Sequence, residues 1–312
     1  MSASSSTRTA TSTEAQGTAR RSRGRDLIAA LPWIGPAIFL IVAVVLFPAG
    51  YMIYNSTREI SVAGVDQGPA GMANYEAVFG FAALPRVLRN TVVWTGGVVL
   101  VTVLISLFLA QFVHKQFPGR KVVRIAIIIP WAASLVMTST VFYYGLDPFY
   151  GILNRALVDL GILDTTYGFT RNALSAFLVA MAVAVFVSLP FTTYVILAGR
   201  QAVPDDTVEA AHMDGAGSFT TWYRVILPQL RPALAVATLI NIINVFNSLP
   251  ILQVLTGSIP GYDADTTTTL MFKFIRLDRA VDVASALSVF NFALVLVIIA
   301  AYLRIVKPMR EV

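Results

Sequence analysis

Cysteine is absent from the sequence, so neither a disulfide framework nor a thiolate metal site is available to it. Histidine is almost absent. His114 and His212 are the two present, and neither has the neighbours of a metal or nucleophile constellation. No Gly-x-x-x-x-Gly-Lys-Ser/Thr stretch occurs, which removes ATP binding by the ordinary phosphate loop. Charge is scarce as well: Asp, Glu, Lys and Arg make up 13% of 312 residues, about half the share usual in soluble domains, while 56% are hydrophobic.

The scarce charges are also confined. Six stretches, about Leu27 to Asn55, Asn90 to Val113, Ile125 to Tyr144, Leu174 to Ala198, Ala233 to Leu255 and Val283 to Leu303, carry none of them. Each is long enough to cross roughly 30 Å of hydrocarbon. Ion- and proton-coupled carriers usually place an ionisable group inside the membrane, so its absence here argues that energy comes from a partner. The expected fold class is therefore an all-α integral membrane protein with six transmembrane helices.

Residues 1–25 are rich in Ser, Thr and Ala and end in Arg20, Arg21, Arg23 and Arg25, a composition that cannot bury a core and reads as a disordered tail. A secretory signal is the competing reading. The apolar run that follows is too long for one and lacks an obvious small-residue cleavage site, so it is read as an uncleaved first span. With six spans, both termini share one side. Assigning that side to the cytoplasm places 15 Lys and Arg residues there against 8 on the other side, and the positive-inside rule then puts the segment between the fourth and fifth spans in the cytoplasm. The net charge of +6 is explained by this topology rather than by a nucleic-acid partner.

That segment, residues 204–228, is a polar island between apolar runs. Pro204 fixes its start, Asp206 and Glu209 have capping-box spacing, and Gly215 and Gly217 end a helix of about two turns. Ser218 is the expected N-cap of a second short helix with Trp222 and Tyr223 in its body, which Pro228 closes. A helix-turn-helix outside the lipid results. Ala210, Ala211 and Ala216 leave part of its surface free of bulky side chains, open to close approach by another protein.

These residues resemble the membrane-spanning subunits of bacterial ABC importers, whose cytoplasmic loop carries Glu-Ala-Ala, a Gly six positions after the Glu, and a Leu-Pro. Here these are Glu209, Ala210, Ala211, Gly215, Leu227 and Pro228. Asp214, Gly215 and Ala216 give the resemblance to the carbohydrate branch, typified by permeases for maltose, related sugars and glycerol phosphate compounds. Val225 stands where the family usually has Ile. The likeness extends more loosely from about Leu27 to Ile305, through pieces such as Asn90-Thr91, Pro130-Trp131, Gly151, Asn154 and the threonines 266–269. It implies one six-span permease domain over residues 26–312. The loop, with Asp206 beside the motif residues, would couple to a separate ATPase subunit that binds ATP and Mg, so that this chain is not itself an enzyme and holds no cofactor. It further implies a second permease, two ATPase subunits or domains, an extracytoplasmic substrate-binding protein and a bacterial inner or plasma membrane location.

The spans themselves carry neutral polar groups. In the fifth, Asn241, Asn244, Asn247 and Ser248 recur at helical spacing, with Asn247 on the flank of the stripe. Ser288 and Asn291 in the sixth span and Tyr143 in the third join them as candidate path residues, set against a plain role in interhelical hydrogen bonding. Amides and hydroxyls suit a sugar or polyol as solute. Other readings are a permease for another solute class, a stand-alone channel or facilitator, and a scaffold or receptor subunit; the loop opposes the last two, since neither needs it.

Overall fold

The structure, a computed structural model, describes residues 32–257 and 259–306. The expected tail over residues 1–25 and the first turn of the first span lie outside the described residues. The chain divides into two compact units, residues 1–54 and 55–312. Helix α1 (Pro32–Asn55), which lies in the first unit except for its last residue, is uncharged and 24 residues long, about 36 Å at 1.5 Å per residue. Its turns widen to a π-helix over Ile41–Leu46.

The second unit opens with a feature the sequence reading does not include, a two-stranded antiparallel ribbon of β1 (Arg58–Ile60) and β2 (Asp66–Pro69). The Arg58 Nε–H donates to both carboxylate oxygens of Asp66 across it. Helix α2 (Ala73–Phe79) follows, and then α3 (Leu84–His114), longer at its start than the expected second span and including Arg86 and Arg89. The fourth and sixth expected spans are likewise unbroken, as α7 (Ala173–Gln201) and α13 (Val281–Val306).

The other two expected spans are corrected by the structure. The third is two helices, α4 (Arg120–Ala132) and α5 (Leu135–Gly145), bent by 98° at Ala133–Ser134. The fifth stops at Asn247–Ser248: α10 (Arg231–Phe246) ends there and α11 (Leu249–Thr256) begins anew. Pro250 lies in the first turn of α11, where its missing N–H costs nothing; in a helix continuous from α10 it would break a ladder bond and clash with the Phe246 carbonyl. The described residues hold four unbroken membrane-length helices, and up to six crossings if α4 with α5, and the helical segment Ser218–Gln229 with α10, each count as one bent span.

Packing follows the logic of a lipid-embedded bundle, in which association rests on close van der Waals contact and not on escape from water. Helix α3 buries Thr91, Thr95, Thr102 and Ser106 while exposing Leu100, Leu104 and Phe108. Its partner α7 presents Ala176, Ala180 and Ala184, all buried and four residues apart, so the two backbones can approach. Gly199 serves the same end where α7 meets α10: a Cβ there would collide with that of Ala233. Three apolar clusters run along the unit. One is centred on Trp94, Phe177, Val183, Val245 and Leu252, a second on Val87, Leu270 and Leu287, and a third on Val113, Ile196, Ile226 and Leu230.

The sequence pieces outside the loop find local roles. The Asn90 amide donates to the carbonyls of Asp263 and Asp265, and Thr91 Oγ1 accepts the Thr267 N–H at 2.9 Å, fixing the start of α12 (Thr267–Lys273) on α3. Asn154, in α6 (Ile152–Asp159), is fully buried and ties both sides of its loop by donating to the Leu146 and Tyr167 carbonyls while accepting the Tyr167 N–H.

Candidate functional site

The two broken spans meet at one cavity of about 700 Å³. Trp131, Ser134 and Leu135 reach it from the α4–α5 break, Asn247 and Ser248 from the α10–α11 break. Asn241 and Asn244 complete one wall from α10, and Ser188 and Phe191 face it from α7 around Pro190. All of its polar side chains are amides, hydroxyls or the indole, with no charge among them. Irregular backbone at membrane depth is tolerated only where it lines a cavity or is covered by protein, and here it does the former.

At the broken end of α10 the Asn247 and Ser248 N–H groups reach the Ile243 and Val245 carbonyls, and side chains add further bonds to the last carbonyls. Trp94 Nε1–H donates to the Val245 carbonyl at 2.8 Å, Thr268 Oγ1–H to that of Phe246 at 3.1 Å, and the Asn247 amide to that of Ile243 at 2.9 Å. Trp94 and Thr268 were invisible as site residues in the sequence because they are far from the break along the chain. Replacing Trp94 with Phe keeps most of the apolar contact and removes one of the two hydrogen bonds on the Val245 carbonyl, leaving that from the Ser248 N–H, an expected loss of about 0.5–1.5 kcal/mol. A lowered thermal unfolding midpoint of the purified chain would register it, and an unchanged midpoint would refute the role.

The four fifth-span residues named from the sequence are thus together in the cavity wall, but they are not equivalent. Asn241 is buried, and its amide donates to Thr192 Oγ1 on α7 at 2.7 Å. Asn244 and Asn247 are exposed to the cavity, and Ser248 is buried at the break. The remaining three candidates lie elsewhere. Tyr143 packs against the central apolar cluster, Ser288 Oγ–H is within reach of Met271 Sδ and the Ala284 carbonyl, and Asn291 is buried on α13. Trp131 and Phe191, absent from the sequence-derived set, had a signal in the adjoining Pro130 and Pro190.

The polar island folds as α8 (Asp205–Met213) and α9 (Ser218–Gln229). Two details differ from expectation. Pro204 and not Asp206 occupies the N-cap of α8, so Asp205 and Asp206 sit in the first turn, where their charge favours the helix N-terminus without a capping-box bond. Helix α9 has Gly217 as its N-cap and runs through Pro228 to Gln229, bending 65° into α10 at Leu230. The end of α8 is as the glycine suggested: Gly215 has φ +79°, its N–H donates to the His212 carbonyl and the Ala216 N–H to that of Ala211, a Schellman closure.

Asp206, Glu209, Ala210, Asp214 and Gly215 are exposed together at this tip, with Ala211 and Ala216 half-buried behind them. Leu227 and Pro228 are half-buried further along α9, next to the Ile226 and Leu230 cluster, and anchor the loop instead of sharing its tip. Met213 and Phe219 join the exposed side at 87% and 77% accessibility, large apolar groups that a docked protein would cover.

Residues 102–308 match the family described as binding-protein-dependent transport system inner membrane component. The chain belongs to that family. This permease is 34% identical over 271 residues to a probable ABC transporter permease of Brucella suis biovar 1, covering 86% of this chain and 93% of that one. It is 31% identical over 282 residues to the trehalose transport system permease SugA of Mycobacterium tuberculosis, covering 87% and 86% respectively. Its fold matches a chain of a bacterial ABC transporter that imports the acidic polysaccharide alginate, with TM-score 0.80 at 20% identity over 94% of the permease and 100% of that chain. The permease is accordingly a multi-pass membrane protein of the ABC importer class.

Proposed function

We propose that this permease forms the translocation path for a neutral sugar or related polyol in an ATP-driven importer. The observation that carries the reading is the meeting of two interrupted spans at a 700 Å³ cavity whose polar groups are uncharged. That volume lies within the roughly 300–1,000 Å³ of small-molecule sites. Amides and hydroxyls exchange hydrogen bonds with sugar hydroxyls in both directions, while Trp131 and Phe191 offer apolar faces to the sugar ring. The trehalose permease relative supports the solute class. The alginate importer shares only the fold, and its acidic cargo finds no cationic counterpart in this cavity.

In this reading the α8 tip faces the cytoplasm with both termini and docks in a separate ATPase subunit, which binds ATP and Mg. A second permease completes the path, two ATPase subunits drive it, and an extracytoplasmic binding protein delivers the solute. The test is uptake of labelled neutral disaccharides into proteoliposomes holding the assembled complex with its binding protein. ATP-dependent accumulation is expected. Equilibration without ATP would make the chain a facilitator and overturn the reading, as would selective uptake of an anionic solute.

A further inference from the structure

At the far end of the bundle from the ribbon, a separate cavity of about 660 Å³ opens between the last turns of α3 and α7 and the helices α8 and α9. Arg200 lines it and is only 6% exposed, with Nε and Nη1 unpartnered. Among the described residues the ion pairs are Arg58–Asp66, Arg86–Asp263 and Lys273–Asp265, so no carboxylate pairs with Arg200. The charge of Asp205 is felt at Arg200 but from beyond ion-pair distance. Trp222 Nε1 and His114 Nδ1, on the same cavity, also lack partners. A buried guanidinium without a counter-charge costs several kcal/mol, and two further ring nitrogens beside it are left without the hydrogen bonds that buried polar atoms normally make.

The opposite wall is apolar. Leu104 and Phe108 line the cavity from the outward face of α3, where Phe108 is 71% exposed, and Lys115 stands at the helix end beyond them. This wall continues the exposed apolar surface of a membrane-length helix, whereas Arg200 and Lys115 lie at the ends of α7 and α3, where a span of that length would meet the headgroups. We propose that the cavity holds the phosphate of an anionic phospholipid, clamped by Arg200 and the Trp222 indole N–H, with an acyl chain laid along Leu104 and Phe108. Arginine forks match phosphate oxygens in pairs, and basic pockets between membrane helices are suited to such headgroups. Because α8 and α9 form part of the wall, the lipid would brace the loop that the proposed function assigns to coupling.

The experiment is native mass spectrometry of the delipidated full chain titrated with phosphatidylglycerol or phosphatidylcholine of identical acyl chains. Retention of phosphatidylglycerol is expected to exceed that of phosphatidylcholine by about tenfold, the worth of one charge-assisted pairing. Arg200→Leu should abolish the preference and Arg200→Lys should keep part of it. Trp222→Phe, which leaves the charge and the fold in place, should weaken it several-fold. Equal retention of the two lipids by the unaltered chain would overturn the proposal without recourse to any variant. Displacement of phosphatidylglycerol by millimolar inorganic phosphate would assign the site to a soluble anion and overturn it too. So would an Arg200→Leu chain that keeps the lipid preference but no longer retains the ATPase, which would give the cation a protein carboxylate.

Discussion

Gly215→Val is expected to abolish ATP-driven uptake while leaving the chain inserted in the membrane. At φ +79° Gly215 occupies the left-handed region, which costs an L-residue about 1–2 kcal/mol and a β-branched one more. Space is not the obstacle: a Cβ placed there would meet nothing within 4 Å. The cost is therefore in the backbone, and the chain relieves it by opening the Schellman turn that holds Ala216 to Ala211 and Gly215 to His212. Glu209, Ala210 and Asp214 then lose their shared placement at the tip. Gly215→Asn is the matching control, since Asn tolerates this conformation and should retain most transport. ATPase activity and uptake of the reconstituted complex are to be measured together, with the amount of ATPase retained. Normal uptake by the Val variant with the ATPase bound would refute a docking role for the tip.

The contrast between Gly215 and the α8 N-cap shows what a sequence discloses about such a loop. A glycine at the end of a short polar helix has few alternatives to the left-handed turn, so its role was legible. At the start of α8 the Asp206–Glu209 spacing favoured Asp206 as the cap, whereas the helix begins two residues earlier behind Pro204 and both aspartates fall in its first turn. Membrane spans were legible for a related reason: uncharged runs of twenty residues have few other uses. Their bends were not. Hydropathy is blind to direction, and the 98° turn at Ala133–Ser134 leaves the apolar run unbroken.

The break at Asn247–Ser248 depends on partners remote in sequence. Trp94 and Thr268 donate to the last carbonyls of α10, and no local pattern could announce that they would lie beside Val245 and Phe246. The stripe of asparagines nonetheless pointed to a wall of that cavity, because three amides on one helix cannot all face lipid. Ser288 and Asn291 had the same composition but not the same address. The face α13 turns to Met271 and to α12 is set by packing at the other end of the unit, where Ala284 and Leu287 are buried.

Asn244→Leu is expected to lower uptake about tenfold, the equivalent of one lost hydrogen bond of roughly 1.4 kcal/mol to the solute, with assembly unchanged. The reason is its position: it is exposed in the cavity wall, so its amide is available to a passing hydroxyl. Asn241 provides the comparison within the same helix. Its amide is committed to Thr192 Oγ1, which in turn donates to the Ser188 carbonyl, so Asn241→Leu should loosen α10 from α7 by about 0.6–2 kcal/mol and show first as reduced assembly or thermal stability. Uptake of the native solute and the yield of assembled complex, measured side by side, separate the two. The binding protein's own affinity should not move for either variant, since it is a separate chain. Unimpaired transport by chains carrying Leu at 241 and at 244 would remove this wall from the path, and equal losses of uptake and assembly at 244 would return that asparagine to a purely structural role.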